Sequence, residues 1–448
     1  MSVAASSTGR GTTAAKFVEQ CQQTFGADAI VTGDATAQFS IDGQRPAAVC
    51  YPANIEELGR CVAAAALANL AMIPVGNGAQ LGIGRSPRRY DVAMCTRRMQ
   101  RVIAHEAADM TVTVEAGVTI DQLNAKLGVA AQFLPIDPPR GHEVTVGGLI
   151  ATDASGPLRL AYGKARDLLI GVRAVLADGT VVKGGGRVVK NVAGYDLMKL
   201  MTGSHGSLAI IAEATFKVRP RPEIEAVFVA GFERIDDAVE AGLYALTVNL
   251  QPAFVEALNE LAADAVGLSG APLVIGCHGA ADEIAAQRRE LQSVFGPRIR
   301  MLDSASAAKL SFGLRQLGIG SDLAGCKIVT IPSRLASALQ HVAAEAQARS
   351  IDVLLAAHVG NGVAMVRSPM SREKLSAFAD FARWLHGEIA AVGGIATFDA
   401  LPTSLKDRID PWSTDRTLPL ARRSLMRAVK DALDPRGLLS SGCFIGGI

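Results

Sequence analysis

Apolar and polar positions alternate along the chain in two rhythms, one of strands and one of amphipathic helices. AAVCYP (47–52) reads as a strand, ANIEELGRCVAAAALANL (53–70) as a helix with one apolar face, and AMIPV (71–75) as a second strand. Asn54 followed three residues later by Glu57 predicts an N-cap with its reciprocal partner. TVTVEAG (111–117) alternates like a strand, and Thr119 with Gln122 forms a second capping box that opens TIDQLNAKLG, closed by Gly128. Asp178-Gly179 between two alternating runs predicts a hairpin. SLAIIAEATFKV is a further strand, ending at Arg219-Pro220-Arg221-Pro222, which suits an extended link between domains. Beyond that link, AVFVAGF, AFVEALN, PLVIGCHG, CKIVTIP and DVLLAAHVGNGVAMV alternate with helices near 235–248, 281–295 and 334–349. This predicts an antiparallel sheet with helices on one face. DPRGLLSSG, near the end, reads as a type I turn with Pro435 at its second position.

The stretch AMIPVGNGAQLGIG (71–84) places Gly76, Gly78, Gly82 and Gly84 behind a short strand. Such a loop brings bare amides close to a phosphate, because glycine adopts positive φ freely and has no side chain in the way. The dinucleotide fingerprint is excluded. Its third glycine slot holds Leu81, and RSPRRYD follows with Pro87 in its middle, so no helix starts where that fold needs one. On its own the loop is equally a structural turn. The long Gly-, Pro- and small-residue region from QFLPIDPP to LAYG is too apolar for a linker and reads as a binding wall.

Composition narrows the class. The 448 residues suffice for two or three domains, 49 % are hydrophobic and 20 % charged, and the net charge is only +2 with the basic residues scattered. A nucleic-acid partner is not expected. CVAAAALANLAMIPV is too short and too interrupted for a membrane span, and MSVAASSTGRGTTAAKF reads as a tail with no signal-peptide core, so a cytoplasmic protein is expected. Cysteines 21, 50, 61, 95, 277, 326 and 443 never fall in a tight ligand spacing, which predicts reduced, buried thiols and no metal centre.

Taken in order, PVGNGAQLG, LPIDPP, TVGGLIATDASG, AYG, VKNVAGYDLMKL, GSHGSLAIIAEATFKVRPRP and DPRGLLSSG resemble the vanillyl-alcohol oxidase type of FAD-binding domain. More narrowly they are similar to the FAD-binding E subunits of bacterial glycolate oxidase complexes. The resemblance implies an α+β fold: a PCMH-type FAD-binding domain of two α+β subdomains plus a smaller ferredoxin-like α+β cap. Its segments would be an N-terminal tail and helix (1–40), the FAD-binding domain (41–221), the cap or substrate domain (222–400) and a C-terminal segment returning to the FAD domain (401–448).

The resemblance also implies roles. Val75, Gly76, Asn77, Gly78, Ala79 and Gln80 would wrap the FAD diphosphate. Thr145, Val146, Gly147 and Gly148, with Ala154, Ser155 and Gly156, would line the flavin from the other side. Pro135, Tyr162 and Gly163 would complete that wall, while Gly206 and the Ile211 backbone would meet the pyrimidine edge of the ring system. Many relatives carry Arg where this chain has Val75, which removes one charge contact to phosphate. The loop contains neither His nor Cys, so non-covalent FAD is expected.

Related 2-hydroxy-acid dehydrogenases carry H-x-G-x-G-N-x-H in the second domain. Here the segment is HVGNGVAM: His358, Gly360 and Gly362 remain, but Val363 and Met365 stand where the Asn and the second His would be, and a later acidic-His motif is replaced by GGIATFDALP. One imidazole does not make a metal site. Oxidising a 2-hydroxy acid needs a base for the hydroxyl proton and a cation for the carboxylate. His358, His205, Arg187, Lys190 and Lys199 are the candidates: His358 reads first as a structural histidine, Arg187, Lys190 and Lys199 read equally as solvated surface, and His205 is placed near the flavin by the resemblance alone. The resulting expectation is an FAD-dependent oxidoreductase acting on CH–OH donors, as a subunit of a glycolate-type complex beside a catalytic flavoprotein and an iron–sulfur subunit. Membrane association would come through those partners. A stand-alone oxidase for a 2-hydroxy acid or another alcohol, and a flavin-free scaffold subunit, are the alternatives.

Overall fold

The computed structural model describes residues 4–186, 195–320, 322–413 and 418–448. The N-terminal Ser/Thr/Ala stretch is helical, α1 spanning Ala4–Phe25. The Asn54 side chain accepts the Glu57 amide at 2.8 Å and starts α2 (Ile55–Leu67), which turns Ile55, Leu58, Cys61, Val62 and Ala65 to the core. The Glu57 carboxylate reaches back to the Ala53 amide, one residue before the cap.

α2 connects two strands of the first sheet. With β1 (Ile30–Thr32), β2 (Ala48–Cys50), β3 (Met72–Val75) and β4 (Val92–Cys95), the order is β1-β2-β4-β3, and β2 and β3 both run parallel to β4. A second, antiparallel sheet follows, of β5 (Val102–Glu106), β6 (Thr111–Glu115), β8 (Leu169–Val175), β9 (Val181–Gly185) and β10 (Ile210–Lys217), in the order β5-β6-β10-β8-β9. The β8–β9 hairpin turns at Asp178-Gly179, where Gly179 has φ +94°. Helices α3 (Ile120–Gly128) and α4 (Val146–Thr152) pack on this sheet through Leu123, Leu127, Leu149 and Ile150. Thr119 and Gln122 form both hydrogen bonds of the capping box that opens α3. β7 (Gln132–Phe133) and β11 (Arg219–Pro220) make a two-residue ladder at the domain link.

The cap is a βαββαβ unit used twice. The first comprises β12 (Ile224–Ala230), β13 (Phe254–Leu258), β14 (Leu273–Gly279) and β15 (Ile299–Met301). The second comprises β16 (Leu323–Val329), β17 (Leu354–His358), β18 (Val363–Pro369) and β19 (Ile395–Ala400). Each unit orders its strands like a ferredoxin fold, and antiparallel pairing of β13 with β17 fuses them into one eight-stranded sheet, β15-β12-β14-β13-β17-β18-β16-β19. Helices 235–245, 281–295, 335–348 and 375–391 cover one face. The sequence reading had all helices there. Residues 260–265 and 304–316 instead pack on the opposite face, with Val227, Val229 and Phe254, because strand alternation gives the sheet two apolar faces.

The chain then returns to the first domain. Lys406 Nζ donates to the Gly82 carbonyl at 2.7 Å and pairs with Asp42. After a helix over 420–433, the Met72 amide donates to the Leu438 carbonyl and the Ser440 amide to the Met72 carbonyl, adding a strand-like edge beside β3.

Candidate functional site

Past Val75 the chain turns through 76–84 with no helix before β4. The loop is braced from outside: the Asn77 carbonyl accepts from Arg97 Nη2 at 3.1 Å and the Ala79 carbonyl from the Arg140 guanidinium. In a trans peptide the carbonyl and the following amide point opposite ways, so Gly78 N–H and Gln80 N–H turn away from those arginines. Among the described residues, nothing accepts a hydrogen bond from the amides of residues 77–80. Residues 77–80 line a cavity enclosing about 1020 Å³ of free space including its mouth. A run of unspent N–H groups at one wall is an anion-binding nest, so the loop fits the paired phosphates of a dinucleotide. The two arginines hold the loop in shape, a role that needs no Arg in place of Val75.

Of the residues expected here, Val75, Gly76, Asn77, Gly78, Ala79, Gln80, Thr145, Gly147, Gly148, Gly206 and Ile211 line this cavity. α4 supplies the opposite wall: Thr145 Oγ1 caps it by accepting the Gly148 amide, and the Thr152 hydroxyl donates to Gln80 Oε1 at 2.9 Å. The other expected wall residues lie elsewhere. Val146 is fully buried in the core beneath α4. Pro135 is buried off the cavity, and Ala154 and Ser155 also stand outside its lining. Gly156 packs against Asp137, where a β-carbon would come within 2.8 Å of the carboxylate. The Tyr162 hydroxyl bonds His278 Nδ1 of the cap at 2.9 Å with its ring against Phe133, and Gly163 packs on Asp167. This segment joins the two domains.

The cap presents the sheet face opposite the helices 235–245, 281–295, 335–348 and 375–391. Alternation puts Glu256, His358, Met365, Lys327, Arg367 and Asp399 on that face. His358 Nδ1 lies 2.7 Å from Glu256 Oε1, both nearly buried. Burial disfavours the His358 imidazolium, but the facing Glu256 and nearby Asp137 outweigh it and hold the pKa above its ordinary value. Burial pushes Asp137 up to about 7. Arg367 pairs with Asp399 Oδ2 at 2.8 Å, leaving Asp399 Oδ1 buried without a hydrogen-bond partner among the described residues.

Lys327 of the cap acts electrostatically on His205, which lines the cavity. His205 is held in a left-handed backbone conformation (φ +50°) by its amide bond to the Ala151 carbonyl, with its ring stacked on Phe444 and edge-on to Trp412. Burial, then the positive field of Lys327, bring its pKa down to about 4, so the imidazole is neutral near pH 7. Lys327 itself is lowered by burial, with Asp399 opposing, and its ammonium has no hydrogen-bond partner among the described residues. Sequence reasoning missed Lys327, Glu256 and Asp399. Their one signal was a lone charge inside an apolar strand run, as in CKIV, FVEAL and TFDA.

Of the other candidates, Lys199 is spent on an exposed ion pair with Asp196, and Arg187 and Lys190 lie outside the described residues. Met365, which takes the place of the second motif histidine, stands opposite Lys327 in the β16–β18 register. Among the described residues, the one grouping of three His, Cys, Asp or Glu side chains close enough to share an ion is away from the cap, at Cys21, Cys50 and Cys61.

Residues 46–185 match the FAD binding domain family. The chain is 33 % identical over 228 residues to glycolate oxidase subunit GlcD of Bacillus subtilis, a match covering 51 % of this chain and 48 % of that protein, so it spans about half that relative's length. A probable mitochondrial D-lactate dehydrogenase of Danio rerio is 27 % identical over 89 % of this chain and 84 % of its own. Glycolate oxidase subunit GlcE of Escherichia coli is 39 % identical, but over only 27 % of this chain and 35 % of its own. In structure, p-cresol methylhydroxylase with substrate bound superposes with a TM-score of 0.80, covering 96 % of both chains at 16 % identity, which shows the fold. No described helix is long and apolar enough to cross a membrane.

Proposed function

We propose that this chain, an FAD-binding protein with the PCMH-type α+β fold, is an oxidoreductase for small 2-hydroxy acids and works as one subunit of a glycolate oxidase-like complex. The observation that carries the substrate class is a half-buried Lys327 ammonium with no hydrogen-bond partner among the described residues, whose positive field reaches the neutral His205 on the cavity wall. A carboxylate is the natural partner of such a lysine, because an ammonium away from water gains most from an opposite charge. A neutral imidazole on that wall can accept the hydroxyl proton of the same small acid. The nest at 77–80 and the α4 wall hold the non-covalent cofactor, and FAD when bound supplies the hydride acceptor.

The subunit reading rests on what the cap lacks. Val363 and Met365 replace two side chains of the metal motif that the resemblance implies, so no metal orients the substrate in this reading and Lys327 carries that task. Catalytic-flavoprotein and iron–sulfur partners would complete electron transfer, and the partial likeness to both glycolate oxidase subunits supports such company. Which relative's role the chain takes, and where in the cell it works, follow from those partners.

Two measurements test the proposal. Anaerobic mixing of the FAD-loaded chain with glycolate or D-lactate should bleach the visible flavin band, and bleaching unchanged by Lys327→Met would remove the carboxylate assignment. Mass spectrometry of untagged co-purifying proteins should return a second flavoprotein and an iron–sulfur protein, and a lone chain with full oxygen-dependent turnover would overturn the subunit role.

A further inference from the structure

Cys21 on α1, Cys50 at the end of β2 and Cys61 on α2 are far apart in sequence and share one point in space. Their three Sγ atoms lie within 4.8 Å of one another, and the residues are 1 %, 0 % and 2 % exposed. None is in a disulfide. Phe17, Ile30, Leu58, Val62 and Ala65 belong to the same apolar core, on the side of the domain served by α1 and α2.

Three sulfurs in a triangle match a particular coordination. A metal bonded to sulfur at about 2.3 Å and lying in the plane of three donors spaces them about 4 Å apart, within the observed limit. Soft thiolate donors select copper(I), zinc or iron–sulfur clusters. Structural zinc takes four ligands in a tetrahedron and clusters take four cysteines, whereas among the described residues no further His, Cys, Asp or Glu side chain joins these three. Copper(I) is the soft ion that accepts two or three sulfurs with nothing further, and a dry apolar shell keeps out both water and dioxygen.

We infer that Cys21, Cys50 and Cys61 form an all-sulfur site for copper(I), separate from the cofactor cavity. Binding changes no oxidation state: the ion is delivered as copper(I), it bonds the three sulfurs, and the thiol protons pass to solvent. Because one ligand comes from α1 and the others from β2 and α2, the ion ties the N-terminal helix to the first sheet.

The test uses the full-length FAD-loaded chain, reduced and titrated anaerobically with copper(I) against a chromogenic copper(I) chelator. The expected result is one retained equivalent, with X-ray absorption fitting three sulfurs near 2.3 Å. Cys21→Ser, Cys50→Ser and Cys61→Ser should each release it, while Cys277→Ser and Cys326→Ser in the cap leave it in place. Flavin absorbance and circular dichroism show which variants remain folded. For any that do not, the wild-type absorption spectrum decides alone: two sulfurs, or any nitrogen or oxygen ligand, overturns the site, as does copper lost entirely to the chelator or held equally by the triad variants.

Discussion

Gly76 faces Thr145 so closely that a β-carbon on the glycine would come within 2.9 Å of the threonine Cγ2 and nearer still to its Oγ1. That contact locks the glycine loop after β3 against Thr145, the residue that caps α4. Gly76→Ala should therefore push the loop off its arginine braces and weaken FAD binding by roughly 1–3 kcal/mol, the usual scale of overpacking, or about fivefold to a hundred-and-fifty-fold. Removing the obstruction with Thr145→Ala in the same chain should restore part of the loss, although the α4 cap is then gone. FAD affinity by fluorescence quenching measures both. Equal affinity for wild type and Gly76→Ala would show that the loop does not grip the cofactor.

Lys430 and Asp434 make a second internal lock. Lys430 Nζ reaches Asp434 at 2.6 Å and donates to the Ser207 and Leu439 carbonyls, while Asp434 accepts the Leu438 and Leu439 amides, all at buried positions. The pair fastens DPRGLLSSG to the loop that carries His205 and Gly206. Breaking a buried pair from one side costs about 3–5 kcal/mol. Lys430→Met should thus lower the unfolding midpoint by many degrees, and Asp434→Ala should cost more because it also strands two backbone amides. Thermal denaturation followed by circular dichroism gives the comparison. A shift of only a degree or two in both would rule out the lock.

Local chemistry made much of this fold readable from the residues. Asn54 and Thr119 announce α2 and α3 because a side-chain cap is a short-range event, and Asp178-Gly179 announces its hairpin for the same reason. Pro87 and Leu81 exclude a helix after the glycine loop, and none is there. The doubled βαββαβ cap was not readable, since the β13–β17 pairing that fuses the two halves joins residues about a hundred positions apart with no local signature. The same limit hid the three-cysteine cluster and the electrostatic influence of Lys327 on His205. The region 154–163 misled: small residues there suit a cofactor wall, but the glycines serve packing against Asp137 and Asp167, and Tyr162 serves the bond to His278.

The left-handed, half-buried His205 gives the protein an acid sensitivity of definite sign. An unfolded histidine titrates near 6.5, and in the folded chain burial lowers this to about 4. Between those values the unfolded state binds the proton and the folded state does not, so stability is present in full above about pH 6.5 and falls as the pH drops toward 4. The loss amounts to at most about 3.4 kcal/mol at 1.36 kcal/mol per unit. His205→Gln should flatten that part of the curve. Urea midpoints at pH 7 and pH 5 test it: the wild type should lose more than the variant, and parallel losses would place the acid sensitivity in another group.

Lys327 is the residue on which the hydroxy-acid reading depends, and its variants separate binding from chemistry. The side chain is on the cap and does not line the phosphate loop, so Lys327→Met should bind FAD as tightly as the wild type. An ammonium–carboxylate contact in a site sheltered from water is a charge-assisted bond, about 1.5–3 kcal/mol, so kcat/KM for a 2-hydroxy acid should fall by roughly tenfold to a hundred-and-fifty-fold. Lys327→Arg keeps the charge and should recover part of it. A corresponding simple alcohol gives the decisive contrast: lacking the carboxylate, it should be oxidised at a similarly low rate by both wild type and Lys327→Met. If the lysine acted only by shaping the cap, the substitution would slow the alcohol and the acid by the same factor. That equal loss would leave the substrate's carboxylate without a partner at this position.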